Sequence, residues 1–362
     1  MFDVLSRFAL RGNPVSCAPY GNGHINRTYL VETDAGARYI LQRINDAIFR
    51  NVPALMCNIA LVTEYLRAQG AGAREALRLI PTRNGADFCR YECEDAQISG
   101  YYRVYDFIED SLCLERAGSA ADFEQSAVAF GRFQMQLREF PAQRLSETLP
   151  GFHDTAQRFE NLCRAIAADK MGRVREVARE IDFALERQAQ AGVMLDMLRR
   201  GELPLRVTHN DTKLNNVMLD AKSRKPLCVI DLDTVMPGLS GNDFGDSIRF
   251  GASTGAEDER DLDRIEMSLE LFRAYARGFL FACGDALTPA ELATLPLAAQ
   301  LMTCECGVRF LTDYLEGDTY FRIHRPGHNL DRARTQFKLV WDMERKRDTM
   351  LKIIREESPR GF

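Results

Sequence analysis

Two kinds of hydrophobic pattern divide this chain. Over residues 1–110 apolar and polar positions alternate, as half-buried strands require. Thr28-Tyr-Leu-Val-Glu-Thr33 and Arg38-Tyr-Ile-Leu-Gln-Arg43 flank Asp34-Ala-Gly36, which predicts a hairpin. Residues 76–82 and 87–92 flank Asn84-Gly85 and predict a second one, and Tyr101-Tyr-Arg-Val-Tyr-Asp-Phe107 predicts a further strand. Between them Leu55, Ile59, Val62 and Leu66 recur at helical spacing within residues 52–69.

From about Leu112 the period lengthens. Residues 122–140, 155–168, 174–199 and 259–283 read as helices. Thr288-Pro-Ala-Glu291 is a capping box with proline at the first helical position, opening a helix to Tyr314 with a break expected at Pro296. A closing helix spans residues 330–356 and carries the only tryptophan, Trp341. The class is therefore α+β, with a β-rich lobe over residues 1–109 and a mainly helical lobe over residues 110–362. At 362 residues, two lobes are the default expectation.

Composition narrows the function. Apolar residues make up 46% and charged residues 27%, ordinary for a soluble protein with real cores. A net charge of −5 argues against a general nucleic-acid binder. No stretch reaches the length of a membrane span, and Met1-Phe-Asp-Val-Leu-Ser6 lacks the features of a signal peptide. Ten scattered cysteines without a C-x-x-C read as buried thiols in a reducing cytoplasm.

The most informative segment is Val207-Thr-His-Asn-Asp-Thr-Lys-Leu-Asn-Asn-Val-Met-Leu-Asp220, with Leu227-Cys-Val-Ile-Asp-Leu-Asp233 close behind. Residues 217–219 and 227–230 read as short strands joined by a polar turn at 221–226. Antiparallel pairing sets Asn216 opposite Asp231, with Asp211 in the loop just before. An amide oxygen and a carboxylate are hard ligands suited to Mg²⁺, which keeps waters and takes other ligands from phosphates. The remaining acid can orient a hydroxyl and accept its proton. Asp and Asn are common in turns for backbone reasons alone, so the weight rests on strand, turn and strand at matching lengths. Asp233, two residues on, points the same way along a strand and is a candidate second metal ligand, or else caps the turn at Pro237-Gly238.

His209-x-Asp211-x-x-x-x-Asn216 followed by a strand ending in Asp231 resembles the catalytic core of protein-kinase-like small-molecule kinases. That group includes aminoglycoside phosphotransferases, choline kinases and homoserine-kinase-like enzymes. The longer run from Ile230 to Phe250 is similar to the N-acetylhexosamine 1-kinase branch. The resemblance implies a protein-kinase-like two-lobed fold, ATP and Mg²⁺ as cofactors, and Asp211 as the catalytic base that contacts substrate. It implies Asn216 and Asp231 as metal ligands, and backbone at Phe107 and Ile108 as the hinge for adenine. His209 is implied to be structural.

Gly21-Asn-Gly23-His24-Ile-Asn26 precedes the first strong strand, where a nucleotide-covering loop would lie. Glycines let backbone approach phosphate closely, so Gly21, Gly23 and Asn26 are candidate nucleotide residues and His24 a candidate sugar contact. The strand lysine of kinases is absent. Gln42 or Arg43 stands in its place, with Glu64 as a candidate ion-pair partner of Arg43. Arg309-Phe-Leu-Thr-Asp313-Tyr314 is similar to a stretch of the same branch and makes Arg309 a candidate sugar donor. Arg309 and Asp313, one turn apart, are otherwise a surface pair. Phe152-His-Asp-Thr155 is a second candidate lining, or a helix cap. Asp243 and Asp246 are expected to start a helix and brace the catalytic loop. The function expected is phosphorylation of the anomeric hydroxyl of GlcNAc or GalNAc by a cytoplasmic enzyme, monomer favoured. Its rivals are another small hydroxyl (choline, homoserine, a plain hexose) and a nucleotide-binding pseudokinase.

Overall fold

The computed structural model describes residues 1–21 and 25–359. The chain is α+β, with a sheet in its N-terminal region and helices in its C-terminal region. It forms two compact units. One comprises residues 1–112, 139–149 and 218–236; the other comprises residues 113–138, 150–217 and 237–362.

The first unit opens with α1 (Phe2–Leu5) and the strands β1 (Pro14–Pro19), β2 (Arg27–Thr33) and β3 (Arg38–Ile44), followed by α2 (Val52–Ala68), β4 (Cys89–Tyr91) and β5 (Gly100–Asp106). The strands form an antiparallel sheet in the order β1-β2-β3-β5-β4. The first hairpin turns as its sequence dictates, with Gly36 at φ 71° and Leu30 opposite Ile40. Val31, Tyr39, Leu41, Tyr102 and Val104 face Val4, Leu5, Phe8 and Ile80 to make the core of this unit.

The second hairpin does not form. Asn84-Gly85 makes its turn, closed by the Thr82 N–H on the Ala86 carbonyl at 2.7 Å. Residues 76–82, however, contribute only single bridges, Leu79 to Tyr105 and Thr82 to Phe8, while β4 pairs with β5. Local turn chemistry fixed the reversal, and non-local pairing decided the partner.

β6 (Ser111–Leu112) joins a three-stranded sheet with the hairpin of β8 (Val217–Asp220) and β9 (Pro226–Val229). Asp220 Oδ1 accepts the N–H groups of Lys222 and Ser223 and shapes the intervening turn. Buried Asn58 of α2 bonds both backbone groups of Ser146 and donates to the Val235 carbonyl at 3.0 Å, pinning the chain just past β9.

The second unit is built from α3 (Ala120–Gln136), α4 (Thr155–Ala168), α5 (Ala178–Leu185), α6 (Val193–Arg199), β7 (Arg206–Thr208), β10 (Met236–Gly238), α7 (Ser240–Gly251), α8 (Leu269–Cys283), α9 (Pro289–Glu316) and α10 (His328–Glu357). Phe159, Leu162, Val308, Leu311, Phe337 and Val340 anchor one core, and Met194, Leu203, Leu239 and Ala298 a smaller one. Three expectations need correction. The single helix over 174–199 is instead a 3₁₀ turn (Val174–Val177), α5, a second 3₁₀ turn (Gln188–Gln190) and α6. Residues 259–268 are not part of α8. Pro296 lies inside an unbroken α9, which the Thr288–Glu291 capping box opens as expected. The cysteines are all free, but Cys57, Cys93 and Cys113 are exposed rather than buried. Among the described residues no helix is long and apolar enough to cross a membrane.

Candidate active site

In the second unit the chain leaves β7 into the loop His209–Lys213. His209 is fully buried, its ring meeting the rings of Phe130 and Phe133 at 5.4 and 6.0 Å. Asn210 takes a left-handed φ of 66°, a conformation that Asn tolerates better than most residues. The first turn of α7 holds this backbone. Buried Asp243 accepts the N–H groups of His209 at 3.0 Å and Asn210 at 2.8 Å, and also the Gln134 amide at 2.9 Å. One turn on, Asp246 accepts the Thr212 N–H at 2.9 Å while Arg249 grips its other oxygen. Ser247 donates to the Thr212 carbonyl, and Tyr275 donates to Ser247. Asp243 and Asp246 thus brace the loop as expected, but they do so from within α7, which begins at Ser240 and not at either of them.

Asp211 follows. Burial works against its carboxylate, but the Lys213 ammonium lies 2.7 Å from Oδ1 and outweighs it, holding Asp211 below the usual carboxylate range. Burial likewise opposes the Lys213 charge, and Asp211 raises that group in turn. Asn216 donates through Nδ2 to the Asp211 carbonyl at 2.8 Å and to Asp211 Oδ2 at 3.1 Å, so its amide oxygen is the atom left for a ligand. Lys213 was not singled out from the sequence; its place two residues after Asp211, on the same loop, was the available signal.

In the first unit, β9 ends at Val229 and Asp231 takes a left-handed φ of 58° before a turn at Leu232–Thr234. Strand alternation therefore does not carry through to Asp233, contrary to expectation. Asp233 is buried, with Arg103 Nη1 at 2.5 Å from Oδ1 and Asn26 Nδ2 at 2.5 Å from Oδ2. One oxygen is in an ion pair and the other accepts a hydrogen bond, which ties Asp233 to the sheet. Arg103 is itself fully buried. Burial disfavours its charge, and Asp233 overcomes this and raises the guanidinium above its ordinary value. An arginine in the middle of an apolar strand was the overlooked signal.

Strand register separates Gln42 from Arg43. Thr28, Gln42 and Arg103 are directly paired across β2, β3 and β5 and so share one face of the sheet. Gln42 accepts from Arg103 at 2.9 Å and donates to Thr28 at 3.1 Å. Arg43 lies on the opposite face, donating to the Ser99 carbonyl, so it does not replace the missing strand lysine. Glu64 is exposed on α2, and no ion pair joins it to Arg43 among the described residues.

Asn26 also accepts the Asn45 N–H. Gly21 has φ 74° with open space beside it. Gly23 and His24 lie outside the described residues. At the expected hinge, the Phe107 N–H donates to the Arg38 carbonyl at 3.2 Å and the Ile108 carbonyl accepts from Ser111.

Arg309 lies on α9 in the second unit, with Phe152, Tyr320 and Phe321 rings 5.8, 5.8 and 5.4 Å from its guanidinium carbon. Asp313 is no surface pair for it. It is buried and accepts the N–H groups of Thr319, Tyr320 and Phe321, which secures the segment carrying two of those rings. Asp154 caps α4, and its neighbours His153 and Thr155 both bond Glu305.

Among the described residues no cluster of three or more His, Cys, Asp or Glu could hold a metal ion by itself.

The chain belongs to the phosphotransferase enzyme family, which it matches over residues 16–280. Its fold is similar to that of amicoumacin kinase, solved with AMP-PNP, Ca²⁺ and amicoumacin. The two are 15% identical over 92% of this chain and 91% of that one, with a TM-score of 0.61. An aminoglycoside phosphotransferase from Alicyclobacillus acidocaldarius is 15% identical over 98% and 95% of the two chains, with a TM-score of 0.59. A choline kinase from Cryptosporidium parvum is 12% identical over 93% and 91%, with a TM-score of 0.55. The protein is thus a member of a phosphotransferase family, with the fold these solved kinases and phosphotransferases share.

Proposed function

We propose that the protein transfers the γ-phosphoryl group of ATP to the anomeric hydroxyl of an N-acetylhexosamine. The observation that carries the choice of acceptor is Arg309 ringed by Phe152, Tyr320 and Phe321 in the unit that also holds Asp211. Aromatic faces suit the C–H faces of a sugar ring, and a guanidinium donates to hydroxyl or acetamido oxygens. The same charge disfavours choline or ethanolamine. Arg158 lies close enough to Arg309 that, after burial, Arg309 is the main influence lowering it. Two guanidiniums in one neighbourhood repel a cationic acceptor.

In this reading Asp211 orients the hydroxyl and accepts its proton as the oxygen–phosphorus bond forms and the bond to the β-phosphate oxygen breaks, releasing ADP. Asn216 and Asp231 are the residues that would hold Mg²⁺, which neutralises charge on the phosphates when bound. Positioning carries most of the acceleration, because an anomeric hydroxyl is more acidic than a simple alcohol. Arg103, tied to Asp233, is the buried cation of the nucleotide-binding unit.

The test is coupled ADP release with Mg-ATP and a panel of GlcNAc, GalNAc, glucose, galactose, choline and homoserine. Turnover led by the acetamido sugars, with a sugar 1-phosphate seen by ³¹P NMR, supports the reading. A different leading acceptor discards the sugar, and ATP use that no acceptor stimulates favours a pseudokinase.

A further inference from the structure

Behind the catalytic loop lies a histidine that the reaction above does not use. His153 is nearly buried, and so is Glu305 on α9. Its Nδ1 stands 3.2 Å from Glu305 Oε1 and its Nε2 stands 3.2 Å from the carbonyl oxygen of Asn210. A carbonyl accepts only, and so does an ionised carboxylate, so a ring satisfied on both sides donates from both nitrogens. The second Glu305 oxygen accepts the Thr155 hydroxyl at 2.7 Å.

We infer that His153 is a positioning residue, an imidazolium that ties Glu305 to the Asn210 carbonyl and so fixes the backbone from which Asp211 projects. This rests on the reading of Asp211 as the base. Asn210 is held in its left-handed conformation from two directions. Asp243 takes the N–H groups of His209 and Asn210, and His153 takes the Asn210 carbonyl at the peptide leading into Asp211. Rotating that peptide would swing the Asp211 side chain, and small misplacements of a reacting group are costly.

The surrounding charges agree. Burial disfavours the imidazolium, but Glu305, and beyond it Asp246, more than compensate and raise His153 above its ordinary value. Burial raises Glu305, and His153 with Arg309 reverses this and holds it low, while Arg158 also feels its charge. The same arrangement links chemistry to acceptor binding. Glu305 and Arg309 are one turn apart on α9, and they meet the consecutive residues His153 and Phe152.

Two measurements test this. The first needs no acceptor: ¹⁵N NMR of the imidazole groups, with His153→Gln for assignment. Both His153 nitrogens are expected to be protonated at pH 7.5, and a neutral ring there overturns the inference. The second compares kcat and KM with Mg-ATP and the acceptor that leads the panel. His153→Phe is expected to lower kcat by roughly 10- to 100-fold while KM for Mg-ATP stays within about twofold. His153→Gln, which keeps a donor for Asn210, is expected to recover most of kcat. Glu305→Gln, nearly isosteric, is expected to move the alkaline limb of the kcat profile to lower pH by about one unit or more. Unchanged kcat in His153→Phe, or an unmoved alkaline limb in Glu305→Gln, overturns the positioning role. Asp211→Asn, measured alongside, tests the base separately. Full turnover in that variant defeats the reading of Asp211 and leaves the protonation of His153 as an independent result.

Discussion

Arg103 and Asp233 meet at 2.5 Å with almost no exposure of either side chain, 1% and 4%. They lie far apart in sequence, on β5 and in the turn after β9, so the pair ties the Asp231-containing turn to the sheet. Removing one partner of a buried pair strands the other charge. Arg103→Met and Asp233→Asn are each expected to cost about 3–5 kcal/mol in urea denaturation. A loss under about 1 kcal/mol would place the pair among solvent-screened bridges instead.

Asp211→Asn keeps the size of the side chain but removes the carboxylate proposed to accept the proton. Turnover is expected to fall by a factor on the order of 10² to 10⁴, the general-base range. Circular dichroism should be unchanged. Near-wild-type turnover would remove Asp211 from the mechanism.

Asp243 serves the loop from below. Asp243→Ala leaves two backbone N–H groups and the Gln134 amide without their acceptor. Each buried orphan costs about 1–3 kcal/mol, so a loss of more than about 3 kcal/mol is expected. Denaturation midpoint and kcat should fall together. A stable variant with normal kcat would show that the loop holds itself.

The His153–Glu305 pair gives stability a defined pH window. Glu305 is depressed, so its contribution is present above its ordinary value of 4.5 and is lost as pH falls through the folded value. His153 is raised, so its contribution is complete below its ordinary value of 6.5 and is lost as pH rises through the folded value. The stability gap between wild type and Glu305→Gln should therefore be widest from about pH 4.5 to 6.5 and narrow toward alkaline pH. A gap that grows with pH would contradict this pairing.

Features written in short segments were legible from the sequence. The first hairpin needs only Asp34-Ala-Gly36, α9 announces itself through Thr288 and Glu291, and Asp211 and Asn216 share one short segment. What was hidden depends on distant partners. His153 and Glu305 are separated by 152 positions, and nothing near either one indicates the other. Residues 76–82 had a hairpin turn beside them, but β5 was the better partner for β4. Arg43 and Gln42 could be told apart only by the register with β5, because both suit the end of a strand.

The contact of Lys213 with Asp211 bears on how the protein would respond to its surroundings. A carboxylate already neutralised by an adjacent ammonium does not change its ionisation between mildly acidic and neutral conditions. Moderate acidification of the medium therefore leaves Asp211, the proposed base, charged. In the proposed reaction, any sensitivity to pH in that range must come from the acceptor, the nucleotide or groups elsewhere in the chain, because Lys213 holds the ionisation of Asp211 steady.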